Sequence, residues 1–283
     1  VGFDLVRCGV DSEGRVEIDE FEVACDGAEH GFASIMWANN ETGVIQPIAE
    51  LCEIAKVRGY AFHSDAIQAV GKTPVNVREV PVDFLSISGH KFHAPKGVGA
   101  LYLREGTRFE PLIRGGGQED GRRSGTENVP YIVGLGRAAE LAYQGLEVDG
   151  HRGITELRDH LEARLCDEIE GVTLNGSREH RVPTCAHVSF EHCEGAGLLI
   201  LLDEYGVQVS TGSACMTGKQ QPSHVQKAMG IDDAQAKSSL RISLSSFTIR
   251  DEVDEAVEAI KRAVKKLRQV QGGGGMGPVV VYS

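Results

Sequence analysis

Lys91 is a reactive side chain at a position where catalytic groups often lie. It stands in SISGHKFHAPKG, directly after an apolar run that ends near Ser88. A lysine there is either a solvated surface charge, which is the usual case, or a desolvated amine suited to forming a Schiff base with an aldehyde cofactor. The position alone leaves both interpretations open.

Asp65 follows a second short apolar run, in FHSDAIQAVGK. The default role of an aspartate after such a run is to cap the next helix. The alternative role is to pair with a protonated ring nitrogen, as a pyridoxal phosphate enzyme requires to keep its cofactor an electron sink. In that case Gln68, three residues later, is placed to hydrogen-bond the phenolic oxygen of the cofactor.

Cys215 lies in VSTGSACMTG, among small and hydroxylated residues that bury little apolar surface. This composition indicates an exposed loop whose thiol does not serve packing. Because the thiolate is the nucleophilic form of cysteine, its pKa and its access decide what it does. Of the other cysteines, Cys52 and Cys166 lie on or beside apolar helix faces and are interpreted as packing residues. The rest have no motif around them: Cys8, Cys25, Cys185 and Cys193.

Two further segments have polar groups with a possible binding role. A metal site would have to use His63, Asp65, His90 and His93, but neither H-E-x-x-H nor paired C-x-x-C spacing is present, so the sequence predicts no metal site. The segment GGGQEDGRRSGTEN combines glycines, arginines and hydroxyl groups. Such a segment is either a phosphate-binding loop or an ordinary surface loop.

Composition excludes several classes of protein. The chain has 283 residues, of which 41% are apolar and 25% charged, which is typical of a globular protein of roughly two domains. A net charge of -12 disfavours nucleic acid and anionic membranes as partners, and no apolar run reaches the roughly 18 residues of a membrane span. Seven cysteines without a pairing pattern predict reduced thiols and a cytoplasmic location. The start, VGFDLVRCGVDSEGR, has no initiator Met and no signal-peptide pattern, and is expected to be internal to a longer sequence.

The first half of the chain alternates helical and extended patterns. QPIAELCEIAKVRG predicts a helix with Ile48, Leu51 and Ala55 on one face, and the extended segments are YAFHSDAIQ, VDFLSIS and GVGALYL. Polar clusters follow the strands. This order predicts an α/β sheet with its site along the carboxyl edge of the strands.

The second half predicts a smaller α+β domain. TELRDHLEARLCDEIEG has leucines four residues apart and predicts a helix, TCAHVSF and SLRISLS predict strands, and a last helix carries a Val/Ile/Leu stripe from Val253 to Leu267. Thr248 with Asp251 three residues later is the predicted cap of that helix. The predicted boundaries are 1–145 for the large domain, 146–270 for the small domain and 271–283 for a flexible tail.

Six segments in this order resemble the cysteine desulfurases of the nitrogenase-associated and iron–sulfur-assembly type. They are WANNETGVIQPI, FHSDAIQAVGK, SISGHKFHAPKGVGALYL, GGGQEDGRRSGTEN, STGSACMTG and SSLRISLS. The resemblance covers nearly the whole chain. It implies the aspartate-aminotransferase-like fold (fold type I) of class-V pyridoxal 5′-phosphate enzymes and a homodimer. It also implies a reaction that converts L-cysteine into L-alanine and an enzyme persulfide.

The resemblance also assigns cofactor roles to residues of this sequence. Lys91 would bond to the cofactor aldehyde and later move the Cα proton of the substrate. Asp65 would hold the pyridinium nitrogen. Gln68 and Asn40 would contact the region of the phenolic oxygen, and Asn40 would also contact the substrate. The phosphate ligands would be Ser88 and His90, together with Thr126 acting on the cofactor of the other subunit.

Two further roles concern the substrate. Arg241 in LRISLS would bind the substrate carboxylate, a task that suits the bidentate guanidinium group. Cys215 would attack the substrate sulfur and carry it as a persulfide to a scaffold or acceptor protein for iron–sulfur assembly. Small residues around Cys215 would let the loop move between the pocket and the acceptor.

The sequence departs from the family pattern in two places. The family has a further stretch before the point matched by Val1, with another phosphate-binding loop and a histidine that stacks on the cofactor, so the large domain is expected to be N-terminally incomplete. His30 in GAEHGF is in the wrong context to replace that histidine. Asp120 and the pair Ser245-Ser246 stand where basic or Gly-Arg residues are common in the family.

These departures keep two alternatives open. One is a degenerate or partner-dependent subunit that binds sulfur-transfer proteins without catalysis, and the other is a selenocysteine lyase. A binding subunit has no need of Lys91, Asp65, Gln68, Arg241 and Cys215 together, which favours the enzyme.

Overall fold

The computed structural model describes residue 2 and residues 4–27, 30–212 and 222–272. Cys215 and residues 273–283 of the predicted tail therefore lie outside the described residues. The described residues of 1–8, 17–38 and 45–150 form one compact unit, and those of 9–16, 39–44 and 151–283 form a second. The domain prediction placed 9–16 and 39–44 in the first domain, whereas the structure groups them with the second unit.

A mixed sheet forms the centre of the first unit. Its strands are β1 (Phe32–Met36), β2 (Ala61–Asp65), β3 (Phe84–Ser88) and β4 (Gly99–Leu103), in the order β1-β2-β3-β4. The first three strands are parallel, and β4 is antiparallel to β3. Three of these strands lie in the predicted extended segments, but β1 is not predicted by the sequence pattern.

Helices α1 (Ile18–Asp26), α2 (Ile48–Val57) and α3 (Val129–Asp149) complete the first unit, with two short 3-10 helices at Gly89–Phe92 and Gln118–Gly121. The predicted apolar face of α2 is buried. Its Lys56 pairs with Asp83 at 2.7 Å, just before β3, which ties the helix to the sheet. No helix in the described part of the chain is long and apolar enough to cross a membrane.

The second unit is built on an antiparallel sheet of β5 (Val172–Leu174), β6 (Cys185–Phe190) and β7 (Ser239–Ser243), with β6 in the centre. Its helices are α4 (Arg152–Glu168), α5 (Gly195–Glu204), α6 (His224–Ala228), α7 (Asp233–Lys237) and α8 (Arg250–Gly272). Helices α4, α5 and α8 enclose one apolar core with the sheet, in which Leu161, Phe190 and Ile260 are buried. Helix α8 continues to Gly272, so it includes the first two residues of the predicted tail.

The start of α8 differs from the predicted cap. The helix begins at Arg250, so its third residue is Glu252, and the Ile249 N–H donates to Glu252 Oε2 at 3.0 Å. Thr248 Oγ1 accepts instead from the Ser245 N–H at 3.0 Å. The carboxylate that closes the helix start is therefore that of Glu252 and not that of Asp251.

A buried polar cluster lies in the second unit. His187 on β6 is fully buried, with Nδ1 3.0 Å from Asn175 Nδ2 and Nε2 3.4 Å from Gln226 Nε2. Gln226 on α6 also donates to Ser239 Oγ on β7 at 2.9 Å. Burial, together with the smaller effect of the charge on Arg241, its register partner on β7, lowers the pKa of His187 to about 4. Burial therefore keeps this histidine neutral at neutral pH.

The neutral state of His187 predicts a pH dependence of stability. In the unfolded chain it binds a proton below about pH 6.5, but in the fold only below about pH 4. The unfolded state thus binds more protons between these values, so the free energy of unfolding falls as the pH drops through this window. Between about pH 7 and pH 5 we expect the wild-type protein to lose about 2 kcal/mol more than His187→Gln in urea denaturation. His224→Gln, at an exposed position on α6, should behave as the wild type. Equal losses in wild type and His187→Gln would contradict the neutral buried state.

Candidate active site

The carboxyl ends of β2 and β3 bring several predicted site residues to one edge of the first unit's sheet. Asp65 is the last residue of β2 and pairs in register with Ser86, two residues before Ser88 ends β3. Lys91 follows in the 3-10 helix Gly89–Phe92. Parallel strands end at the same edge, so a carboxylate, a hydroxyl and an amine lie along one side of the sheet.

Asp65 begins a turn and does not cap a helix. Its Oδ1 accepts from the Ile67 N–H at 2.9 Å, two residues on, and turns rather than an α-helix follow. The default helix-cap interpretation is therefore wrong. The half-buried carboxylate has a second oxygen that this turn does not use.

His63 is held between two serines on the same sheet. Its Nδ1 lies 2.8 Å from Ser34 Oγ and its Nε2 lies 2.9 Å from Ser86 Oγ. Burial lowers the pKa of His63, and the nearby Asp65 charge opposes this. Both ring nitrogens are engaged, and in the described ranges no group of three or more His, Cys, Asp or Glu side chains is arranged to hold a metal ion.

Ser88 and His90 form a small polar pair after β3. Ser88 Oγ lies 3.0 Å from His90 Nδ1. A hydroxyl and an imidazole are both able to donate hydrogen bonds to a phosphate. His93, which ends the 3-10 helix, has a left-handed backbone with φ of 70°, so the chain turns sharply away after Phe92.

Lys91 and Gln68, the two remaining side chains at this edge, have surroundings that differ from those predicted. Lys91 is exposed, so its amine is not desolvated as the Schiff-base hypothesis supposed. Gln68 Oε1 accepts from Lys72 Nζ at 2.5 Å. This contact uses Gln68 Oε1 and does not involve Gln68 Nε2.

Helix α3 packs closely against the 3-10 helix that carries Lys91. A Cβ atom at Gly89 would lie 2.9 Å from both Ala94 Cβ and Leu135 Cδ1. Phe92 in the same turn is buried with Ala138 of α3. The glycine after Ser88 is therefore required by packing, and α3 fixes the lysine-bearing turn.

Thr126 lies on the exposed loop that precedes α3. The Gly-rich loop before it is tied to itself, because Ser124 Oγ donates to the Gly116 carbonyl at 2.8 Å and the Gly125 N–H donates to Gln118 Oε1 at 3.1 Å. The role of Thr126 at a partner subunit's cofactor stays a prediction.

In the second unit, Arg241 makes hydrogen bonds through both its backbone and its side chain. It exchanges backbone hydrogen bonds with Ser210, at 2.6 and 3.1 Å, and its Nη1 donates to the Asn40 carbonyl at 2.9 Å. Its Nε is buried and has no hydrogen-bond partner among the residues that the structure describes. A guanidinium with an unused donor is suited to bind a carboxylate.

A cavity of about 320 Å³ adjoins this arginine. Its lining includes Arg241, Ser210 and Thr211, with Leu199 and Val209 as apolar walls. Charge, hydroxyl groups and an apolar wall suit a small amphiphilic acid. Asn40, predicted to contact the cofactor and the substrate, contacts Arg241 through its backbone carbonyl.

Each described cysteine is buried or has a pKa that burial raises, the exposed Cys166 included. Cys52 is buried, as predicted, and burial raises its pKa to about 11. Cys166 is exposed, so its interpretation as a packing residue is wrong. Burial also raises the pKa of Cys8, Cys25 and Cys193.

Sequence reasoning missed Glu41, which is buried in the second unit. It lies in a turn in which Asn39 Oδ1 accepts from the N–H groups of Glu41 and Thr42, at 2.8 and 3.0 Å. An Asn that starts a turn is a recognisable signal in NNETG, but burial of the glutamate depends on distant residues.

Comparison with known proteins gives consistent matches. The model of the aminotransferase class-V family matches residues 1–256. A protein named cysteine desulfurase from Gluconacetobacter diazotrophicus is 47% identical over 262 residues, covering 93% of this chain. The chain spans just under two thirds of the length of that curated relative, 65%.

Solved structures resemble the fold as well. A structure described as a NifS-like protein has a TM-score of 0.84 and 38% identity, over 94% of this chain and 69% of that one. Another, described as SspA in complex with cysteine, has a TM-score of 0.71 and 32% identity, over 88% of this chain and 68% of that one.

The packing at Gly89 predicts opposite effects for two glycine substitutions. Gly89→Ala should lower the free energy of unfolding by about 1–3 kcal/mol, because the new methyl group overlaps Ala94 and Leu135. Gly136→Ala on α3 is the matched control. A Cβ there meets no atom within 4 Å, so the higher helix propensity of alanine should stabilise by about 0.5–1 kcal/mol. Urea denaturation measures both, and a neutral Gly89→Ala would contradict the close packing.

Proposed function

The chain belongs to the class-V aminotransferase family, and on that premise we propose that it acts as a cysteine desulfurase with pyridoxal 5′-phosphate as cofactor. In the proposed reaction L-cysteine gives L-alanine and a persulfide on Cys215, and an acceptor protein takes the sulfur for iron–sulfur cluster assembly. The observation that carries the proposal is that four polar side chains lie at one edge of the sheet: Asp65, Ser88, His90 and Lys91.

The names of the relatives support this reaction class. The relative from Gluconacetobacter diazotrophicus is named a cysteine desulfurase, and the structure described as SspA is in complex with cysteine. Identities of 47% and 32% relate this chain to both.

The side chains at the sheet edge fit the cofactor chemically. Ser88 Oγ and His90 offer hydrogen-bond donors for a phosphate, the second carboxylate oxygen of Asp65 suits a protonated pyridine nitrogen, and Lys91 offers an amine for the aldehyde. When bound, pyridoxal 5′-phosphate supplies an electron sink that weakens the bonds to the Cα atom of an amino acid.

Each of the chain's own residues would then have a separate role toward the cofactor. Asp65 would keep the ring nitrogen protonated, and Lys91 would accept the proton from the substrate Cα and return it. Gln68 and Asn40 would bind in the region of the phenolic oxygen. Thr126 would reach the phosphate in the partner subunit of a homodimer.

Arg241 would bind the substrate carboxylate. Its buried and unused Nε, together with the free face of a guanidinium whose Nη1 is already fixed by Asn40, supports this role. Fixing one nitrogen of the fork orients the others and reduces the ordering cost on binding.

The Cys215 thiolate would attack the sulfur of the bound cysteine. A sulfur–sulfur bond forms and the substrate carbon–sulfur bond breaks, with its electron pair passing to the carbon, which a proton then converts into the methyl group of alanine. The raised pKa values of Cys8, Cys25, Cys52 and Cys193 support a nucleophile elsewhere than among these four thiols.

The assignment predicts that two variants lose alanine formation but differ in whether borohydride attaches the cofactor to them. With added pyridoxal 5′-phosphate and L-cysteine, Cys215→Ala and Lys91→Ala should each lower alanine formation by at least about a hundredfold, since each lacks a reacting group. Borohydride should attach the cofactor to the Lys91 peptide in Cys215→Ala but not in Lys91→Ala, as read by mass spectrometry. Cys166→Ser removes an exposed thiol that has no proposed role and should keep the wild-type rate.

Other outcomes separate the alternatives. If Cys215→Ala formed alanine at the wild-type rate, the assignment of Cys215 as the nucleophile would be wrong. A much higher rate on L-selenocysteine than on L-cysteine would identify a selenocysteine lyase. A protein that takes up no cofactor and forms no alanine would support the non-catalytic, partner-dependent subunit.

A further inference from the structure

Glu41 is a buried carboxylate to which none of the roles above applies. Its side chain is only 3% exposed, and Oε2 accepts a hydrogen bond from Ser223 Oγ at 2.5 Å. Both residues belong to the second unit. Burying a carboxylate is costly unless hydrogen bonds compensate, so this contact is expected to be strong and specific.

The serine that donates to Glu41 also begins a helix. Ser223 Oγ accepts from the N–H groups of Val225 and Gln226, at 3.1 and 3.4 Å, and so caps α6. One hydroxyl thus joins the Glu41 carboxylate to the start of α6. Ser223 is also the second described residue after the segment 213–221.

Glu41 also adjoins the chain on the other side of that segment. A Cβ atom at Gly212 would lie 3.3 Å from Glu41 Oε2, and the glycine has φ of +75°. Its carbonyl accepts from Ser210 Oγ at 3.3 Å, and Ser210 pairs with Arg241 through the backbone. The last described residue before the segment therefore lies near the same carboxylate oxygen that binds Ser223.

We propose that Glu41 is a positioning residue that holds Ser223 near Gly212, and thereby fixes the described residues on either side of 213–221 relative to Arg241. The inference deepens the proposed function and rests on it in one respect, because Cys215 belongs to this segment. Glu41 touches no reacting group in this role and acts through the backbone that it anchors.

The backbone of Glu41 is held by contacts that do not involve its carboxylate. Its N–H donates to Asn39 Oδ1 at 2.8 Å, and its carbonyl accepts from Cys185 Sγ at 3.3 Å. Substituting the side chain should therefore leave the turn in place and release only the hydrogen bond to Ser223.

Cleavage by trypsin after Lys219 tests the proposal without cofactor or substrate, because Lys219 is the one trypsin site within 213–221. In the full chain, Glu41→Ala and Ser223→Ala should each speed this cleavage about tenfold, since a charge-assisted hydrogen bond at the base of the segment is lost. The double variant should be no faster than either single variant, because both remove the same contact. Glu41→Gln keeps an acceptor oxygen and should remain near the wild-type rate.

Asp232→Ala is the matched control for the loss of a helix cap. Asp232 Oδ1 accepts from the N–H groups of Ala234 and Gln235, at 2.8 and 2.9 Å, and caps α7 in the same unit. It has the capping role of Ser223 but no contact to Glu41, so cleavage after Lys219 should stay at the wild-type rate. A wild-type rate in Glu41→Ala, an equal rise in Asp232→Ala, or additive effects in the double variant would each overturn the proposal.

Alanine formation from L-cysteine gives the second readout. Glu41→Ala should lower kcat about tenfold while leaving KM for L-cysteine within about twofold, because the backbone of the turn and Arg241 remain in place. An unchanged kcat would overturn the positioning role. Failure of the proposed function can be told apart from failure of this inference. If Cys215→Ala formed alanine at the wild-type rate, the assigned nucleophile would be wrong, but the trypsin result for Glu41 would still stand.

Discussion

The parallel pairing of β2 with β3 is the constraint on which the candidate site depends. Because the two strands run in the same direction, their carboxyl ends share one edge of the sheet, so the carboxylate from one strand end is at the same edge as the hydroxyl and the amine that follow the other. Helix α3 fixes the turn that carries Lys91. Its Leu135 lies so close to Gly89 that a Cβ atom at Gly89 would be 2.9 Å from Leu135 Cδ1. The chemistry is thus positioned by backbone pairing and by one steric contact.

Charge is organised differently in the second unit. Arg241 is placed in register with His187, and a second positive charge beside it would be unfavourable in a buried environment. Burial keeps the histidine neutral, so the guanidinium is the charged member of the pair at neutral pH. Among the described residues that line the cavity, Arg241 is the one charged side chain, which suits a ligand with a carboxylate.

Local patterns and resemblance predicted the fold class, which the family match and the related structures confirm: α/β and aspartate-aminotransferase-like, with a smaller α+β part. The strand ends that carry Asp65 and Ser88 were predictable because apolar runs followed by polar residues are a local signal. The solvent exposure of Lys91 and Cys166 was not predictable, because it depends on which residues distant in sequence pack against them. Glu41 escaped notice for the same reason, because its partner Ser223 is 182 residues away in sequence.

The second unit is discontinuous, and this has a consequence for the order in which the chain is made. Residues 9–16 and 39–44 belong to it, yet they leave the ribosome long before residues 151–283. Until then the turn with Glu41 has neither Ser223 nor Cys185 to bind, and Arg241 is still to be synthesised. The segments of this unit that are made first must therefore wait for its later residues, so the unit assembles only after residues of 151–272 have been synthesised.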